Sequence, residues 1–71
     1  MPVDPITDYA PVTVGETERI DIAVTRSGAI ILEAIAMNGQ MIVLSNTRLT
    51  TWPDRIDELV AALLRAKELA S

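Results

Sequence analysis

The chain has no cysteine, no histidine and no phenylalanine, and each absence removes something. Without cysteine there is no disulfide and no thiolate zinc site. Without histidine the commonest metal ligand and the commonest general base are also gone. Tyr9 and Trp52 are the only aromatic residues, so any core must be aliphatic. The three glycines, Gly15, Gly28 and Gly39, stand apart and form no phosphate-cradling loop. Basic residues are also scarce, six against ten acidic ones, and the formal charge of −4 disfavours a phosphate backbone as partner.

No apolar run approaches the roughly 18 residues of a membrane span, and the first residues lack the basic and apolar regions of a secretory signal. A cytoplasmic protein with no membrane partner is the expectation. At 71 residues there is room for one small domain. Folds of this size usually lean on a disulfide, a metal or a second subunit. With no disulfide and no imidazole or thiolate metal site, a second subunit is the aid that remains.

What is present divides at Gly15. Residues 1–15 contain Pro2, Pro5 and Pro11, whose fixed φ and missing N–H forbid a helix, so they read as an extended arm. Val12 and Val14 leave room for a short edge strand. Residues 16–71 read as a single domain. Ile20, Ile22 and Val24 alternate with Arg19, Asp21 and Ala23, the period of a half-buried strand. Arg26-Ser27-Gly28 fits a three-residue hairpin loop closed by a left-handed Gly28. A second strand runs from Ala29 to Met37, and Asn38-Gly39 then signals a two-residue type I′ turn. The third strand runs from Gln40 to about Asn46.

That turn sets a register in which Met37 faces Gln40, Ile35 faces Ile42 and Glu33 faces Leu44. One face of the meander then carries Ile30, Leu32, Ala34, Ala36, Met41 and Val43, with Ile20, Ile22 and Val24. The other carries Ile31, Ile35, Met37, Ile42 and Leu44 around Glu33. Thr51-Trp52-Pro53-Asp54 matches a capping box, and a helix over 53–70 follows. Its stripe of Ile56, Leu59, Val60 and Leu63 is amphipathic. The fold class expected is α+β: a three-stranded antiparallel meander, with a possible extra N-terminal edge strand, and one C-terminal helix packed on the alanine-lined face.

One helix covers one face. The second face would remain bare, so Ile31, Ile35, Met37, Ile42 and Leu44 are the expected homodimer interface. Trp52, flanked by Arg48 and Arg55, is the candidate contact for another protein, since a lone tryptophan near a helix start can anchor a partner. Catalytic candidates are poor. Ser45 has no base nearby in sequence, Lys67 sits among helix charges, and Asp54 and Glu58 are better explained as acids at the positive end of a helix than as metal ligands. No catalytic residue, metal or cofactor is assigned.

The order of a meander and one helix, with Leu49-Thr50-Thr51-Trp52-Pro53 and Ile56 to Leu64 at the junction, resembles the dimeric single-strand-binding fold of transcriptional coactivators of the positive-cofactor-four type. The resemblance covers about the last fifty residues and rests on element order. It implies a dimer that binds single-stranded nucleic acid, but the dense basic and aromatic strand faces of such proteins are missing here. The preferred expectation is therefore a non-enzymatic regulatory or inhibitory protein of the phage or mobile-element type, homodimeric and bound to another protein. The alternative is a dimeric nucleic-acid binder using Arg19, Arg26, Arg48 and Arg55.

Overall fold

A computed structural model of the chain describes residues 3–71. Four strands, β1 (Ile6–Thr13), β2 (Glu18–Thr25), β3 (Ile30–Met37) and β4 (Val43–Thr51), form one antiparallel sheet in sequential order, and α1 (Pro53–Ala70) follows. The fold is an α+β meander with a C-terminal helix, and β1 extends it to four strands.

β1 is the edge strand anticipated near Gly15, but it begins at Ile6 and pairs along nearly its whole length with β2. Pro11 is tolerated there for a geometric reason. The Thr25 N–H donates to the Ala29 carbonyl and the Met37 N–H to that of Thr17, so alternate residues of β2, Asp21 among them, bond towards β3. Pro11, opposite Asp21, therefore turns its missing N–H outwards. A bulge between Ile6 and Asp8 bends the start of the strand.

The β2–β3 hairpin follows the sequence expectation. Val24 pairs with Ile30, Thr25 N and Gly28 N close the loop onto Ala29 and Thr25, and Gly28 takes a φ of 92°. The N-terminal segment is fastened over this loop. Asp4 accepts from the Ser27 amide at 3.1 Å and from the Ser27 hydroxyl, while Arg26 N donates to the Pro5 carbonyl at 2.9 Å.

The β3–β4 hairpin departs from the expectation. Asn38-Gly39 does not form a two-residue turn. Asn38 Oδ1 accepts from Gln40 N at 2.9 Å and Ile42 N at 3.1 Å, and the left-handed residue is Met41, with φ of 65°. The amide side chain has imposed its own local turn, as asparagine commonly does. Five residues thus separate the strands. Met37 pairs with Val43 rather than Gln40, and after a bulge Ile35 faces Asn46 and Glu33 faces Arg48. The expected register, Ile35 to Ile42 and Glu33 to Leu44, is wrong by four residues.

The slide preserves which face each β4 residue occupies but changes what occupies it. Met41 and Ile42 move into the loop, Val43 and Leu44 become the first residues of β4, and Ser45 to Arg48 take the places opposite Ala36 to Glu33. The helix-side face still joins Ile20, Ile22, Val24, Ile30, Leu32 and Ala34, now with Thr47 and Leu49. The capping box is absent too. Thr51 ends β4, Trp52 is the N-cap without a side-chain hydrogen bond, and Pro53 opens the helix as expected.

This is an open structure. Its extents are 43 × 33 × 16 Å, and its radius of gyration is 14.1 Å where a compact chain of this length has about 11 Å. Its surface of 5775 Å² compares with about 4,300 Å² for a compact monomer of 7.7 kDa. The core is correspondingly small. Among the described residues only Ala23, Ala29 and Ile35 are buried hydrophobics, joined by the polar Asp21 and Thr25.

Candidate functional site

The helix stands over the sheet without sealing it. Leu59 and Leu63 overhang Ile20, Ile22, Leu32, Ala34, Thr47 and Leu49, and between them runs an almost wholly apolar cleft of about 280 Å³. Leu63 is 61% exposed and Leu49 54%, while every helix residue but the half-buried Ile56 is exposed. The sequence reason is plain. Alternation on β2 and β3 delivers isoleucine and leucine to this side, the helical stripe delivers Leu59 and Leu63 above them, and neither Tyr9 nor Trp52 lines the gap. The helix was expected to pack closely on alanine; it lies on that side but loosely.

The opposite face is not the greasy surface the sequence suggested. A polar line crosses all four strands through Tyr9, Asp21, Glu33 and Arg48. Arg48 Nη2 lies 3.6 Å from Glu33 Oε2, and Asn46 Nδ2 donates to the same oxygen at 2.9 Å. Arg19 Nε lies 3.0 Å from Asp21 Oδ1; neither of these buried atoms has a hydrogen-bond partner, so their mutual charge is their compensation. The Asp21 carboxylate near the Tyr9 hydroxyl raises the phenol above its ordinary pKa, with desolvation adding to the effect. The signal for this line was in the sequence, since Arg19, Asp21 and Glu33 share a strand parity. The misplaced β4 hid its other end.

The expected interface residues are therefore dispersed. Ile35 is buried within the chain, and Ile31 and Met37 are half-buried beside the polar line. Ile42 lies in the loop and Leu44 at the β4 bulge, 56% and 67% exposed. They do not form one bare sheet face. Trp52 is exposed at the strand–helix junction. Arg48 belongs to the polar face and pairs with Glu33, whereas Arg55 pairs at 3.9 Å with Glu58. Each arginine thus has a carboxylate of its own.

No protein-family model, curated protein or solved structure matches this chain. Its functional reading rests on its own geometry. Among the described residues, no cluster of His, Cys, Asp or Glu could hold a metal ion, and no helix is long and apolar enough to cross a membrane.

Proposed function

We propose that this chain is a non-enzymatic protein–protein interaction module that works as a homodimer, in a regulatory or inhibitory role. One observation carries the reading: the folded chain exposes roughly 1,400 Å² more than a compact monomer of its mass. Two copies hiding that excess would bury about 2,800 Å², within the range of obligate homodimers. Part of the exposed apolar surface lies along the helix and its cleft. Leu49, Leu59, Val60, Leu63, Leu64 and Leu69 are all more than two-fifths exposed.

The dimer surface supported here is the cleft side, not the face of Ile31 and Ile35. Light scattering across a dilution series tests it. The reading expects a particle of twice 7.7 kDa that persists on dilution. A monomer at all concentrations overturns it.

A second reading, a dimeric binder of single-stranded nucleic acid, draws support from the order of four strands and a helix. Against it stand the net charge of −4 and the carboxylate partners of Arg19, Arg48 and Arg55. Anisotropy of a labelled single-stranded oligonucleotide separates the two. Binding that falls steeply with added salt would favour nucleic acid.

A further inference from the structure

The sheet has two edges, and they are not equivalent. On β1, Pro11 leaves a gap among the outward donors, and the bulge near Ile6 breaks the line, both common defences against edge pairing. On β4 there is neither proline nor lysine across Val43–Thr51, and its own bulge, at Leu44, lies near one end and leaves Ser45 to Thr51 in unbroken register. Nine residues make a long edge strand, and all but Thr51 are exposed.

The ladder tells which β4 groups face outwards. Glu33, Ile35 and Met37 bond towards β2, as the Met37 N to Thr17 O bond of 2.8 Å shows. Leu32, Ala34 and Ala36 therefore bond towards β4, and with them their partners Leu49, Thr47 and Ser45. Asn46, Arg48 and Thr50 are left with their backbone N–H and C=O groups pointing away from the sheet. Unpaired, these form a template for another strand.

We infer that β4 pairs antiparallel with β4 of a second copy, about a twofold axis through Thr47, to make one continuous eight-stranded sheet. This rests on the homodimer reading above and specifies how the copies meet. A second copy is the occupant for three reasons. The excess surface matches what a dimer hides. An axis at Thr47 is the midpoint of the strand, and it places Arg48 opposite the partner's Asn46 in reciprocal hydrogen-bonded pairs. An axis one residue on would set the two Arg48 side chains face to face, which like charges resist. Finally, a twofold axis perpendicular to the sheet keeps equivalent faces on one side. Both helices then lie over the same surface, and the two apolar clefts, each lined by Thr47 and Leu49, meet at the axis.

The chain contains no cysteine, so one introduced thiol reports the geometry cleanly. At the axis Thr47 would meet its mate as a non-hydrogen-bonded pair, about 4.5 Å between Cα atoms, within disulfide reach. Under mild oxidation Thr47→Cys should form a disulfide-linked dimer on a non-reducing gel. Ser45→Cys should not, because two residues' displacement on each strand separates the mates by roughly 14 Å. In the unmodified protein, hydrogen exchange should show the Asn46 and Arg48 amides protected, although neither bonds within its own chain. Scattering that shows a dimer, with unprotected Asn46 and Arg48 amides or with Ser45→Cys linking as readily as Thr47→Cys, overturns edge pairing and leaves the homodimer standing. A monomer at every concentration removes both.

Discussion

Glu33 on β3 faces Arg48 on β4, and one carboxylate oxygen, Oε2, takes both the Arg48 guanidinium at 3.6 Å and the Asn46 side-chain amide at 2.9 Å. A single acid thereby ties the edge strand to the interior of the sheet through two of its residues. Removing the hub should cost more than removing either spoke. Arg48 is largely exposed, so its ion pair is screened and contributes little. We expect Glu33→Ala to destabilise by about 1 to 2 kcal/mol and Arg48→Ala by under about 1 kcal/mol. For a domain of this size 1 kcal/mol moves Tm by roughly 4 to 8 °C, so thermal melts at fixed protein concentration resolve the order. Equal shifts for the two variants would show that the shared oxygen has no special weight.

The β3–β4 loop inverts the usual glycine logic. Gly39 has no positive φ and open space around its Cβ position, while Met41 takes the left-handed conformation at φ 65°. A non-glycine residue there costs about 1 to 2 kcal/mol, and glycine's extra chain entropy returns roughly 0.5 to 1 kcal/mol of that. Met41→Gly should therefore stabilise modestly, and Gly39→Ala should be neutral or slightly favourable. Gly28→Ala, at φ 92°, should destabilise by about 1 kcal/mol or more. Chemical denaturation of the three variants checks the ranking; a Gly39→Ala loss as large as that of Gly28→Ala would contradict the loop geometry.

The same loop explains which parts of the fold the sequence made legible. The period-2 run at Ile20, Ile22 and Val24, the Gly28 loop and the helix over Pro53–Ala70 are local patterns with one dominant physical solution, and each formed. Asn38-Gly39 had two solutions. The type I′ turn needs positive φ at both central residues, but the Asn38 side chain instead captured two backbone amides and lengthened the loop. Because register propagates, that one side chain moved β4 by four residues, replaced Ile42 and Leu44 with Asn46 and Arg48 opposite Ile35 and Glu33, and turned an expected apolar face into a polar one. The cleft was only half legible. Its lining followed from strand parity and helical spacing, whereas the stand-off of the helix depends on packing that no local pattern records.

Asp4 offers a pH handle on the N-terminal segment. Its hydrogen bond from the Ser27 hydroxyl, with the nearby Thr25 hydroxyl and the Ser27 amide adding less, holds its carboxyl below the ordinary value of 3.8. A depressed folded-state pKa contributes stability that is present above the unfolded value and lost as pH falls through the folded one. The fastening of the segment over the β2–β3 loop should thus be intact at neutral pH and loosen only below 3.8. Asp4→Asn should lose the charge-dependent part at all pH values. The Ser27 amide resonance, followed by NMR through an acid titration, should move with a midpoint below 3.8 in the native protein and stay flat in the variant. A native midpoint at or above 3.8 would show that these bonds do not favour the charged form.

Leu63 gives the sharpest contrast between a lone chain and an assembled one. It is 61% exposed at the mouth of the cleft, so in an isolated subunit Leu63→Glu removes little buried area and should change stability by no more than about 0.5 kcal/mol. In a dimer that closes the cleft, the same leucine leaves water altogether, and burial of such a side chain contributes about 1.5 to 3 kcal/mol. The substitution acts twice in a symmetric pair, so the dissociation constant should rise by at least about a hundredfold. Circular dichroism at high concentration should still show a folded helix and sheet, while sedimentation at low concentration should show the variant falling apart where the native protein does not. If Leu63→Glu leaves association untouched, the helix and cleft lie outside the contact, and the exposed apolar tip at Met41, Ile42 and Leu44 becomes the surface to probe next.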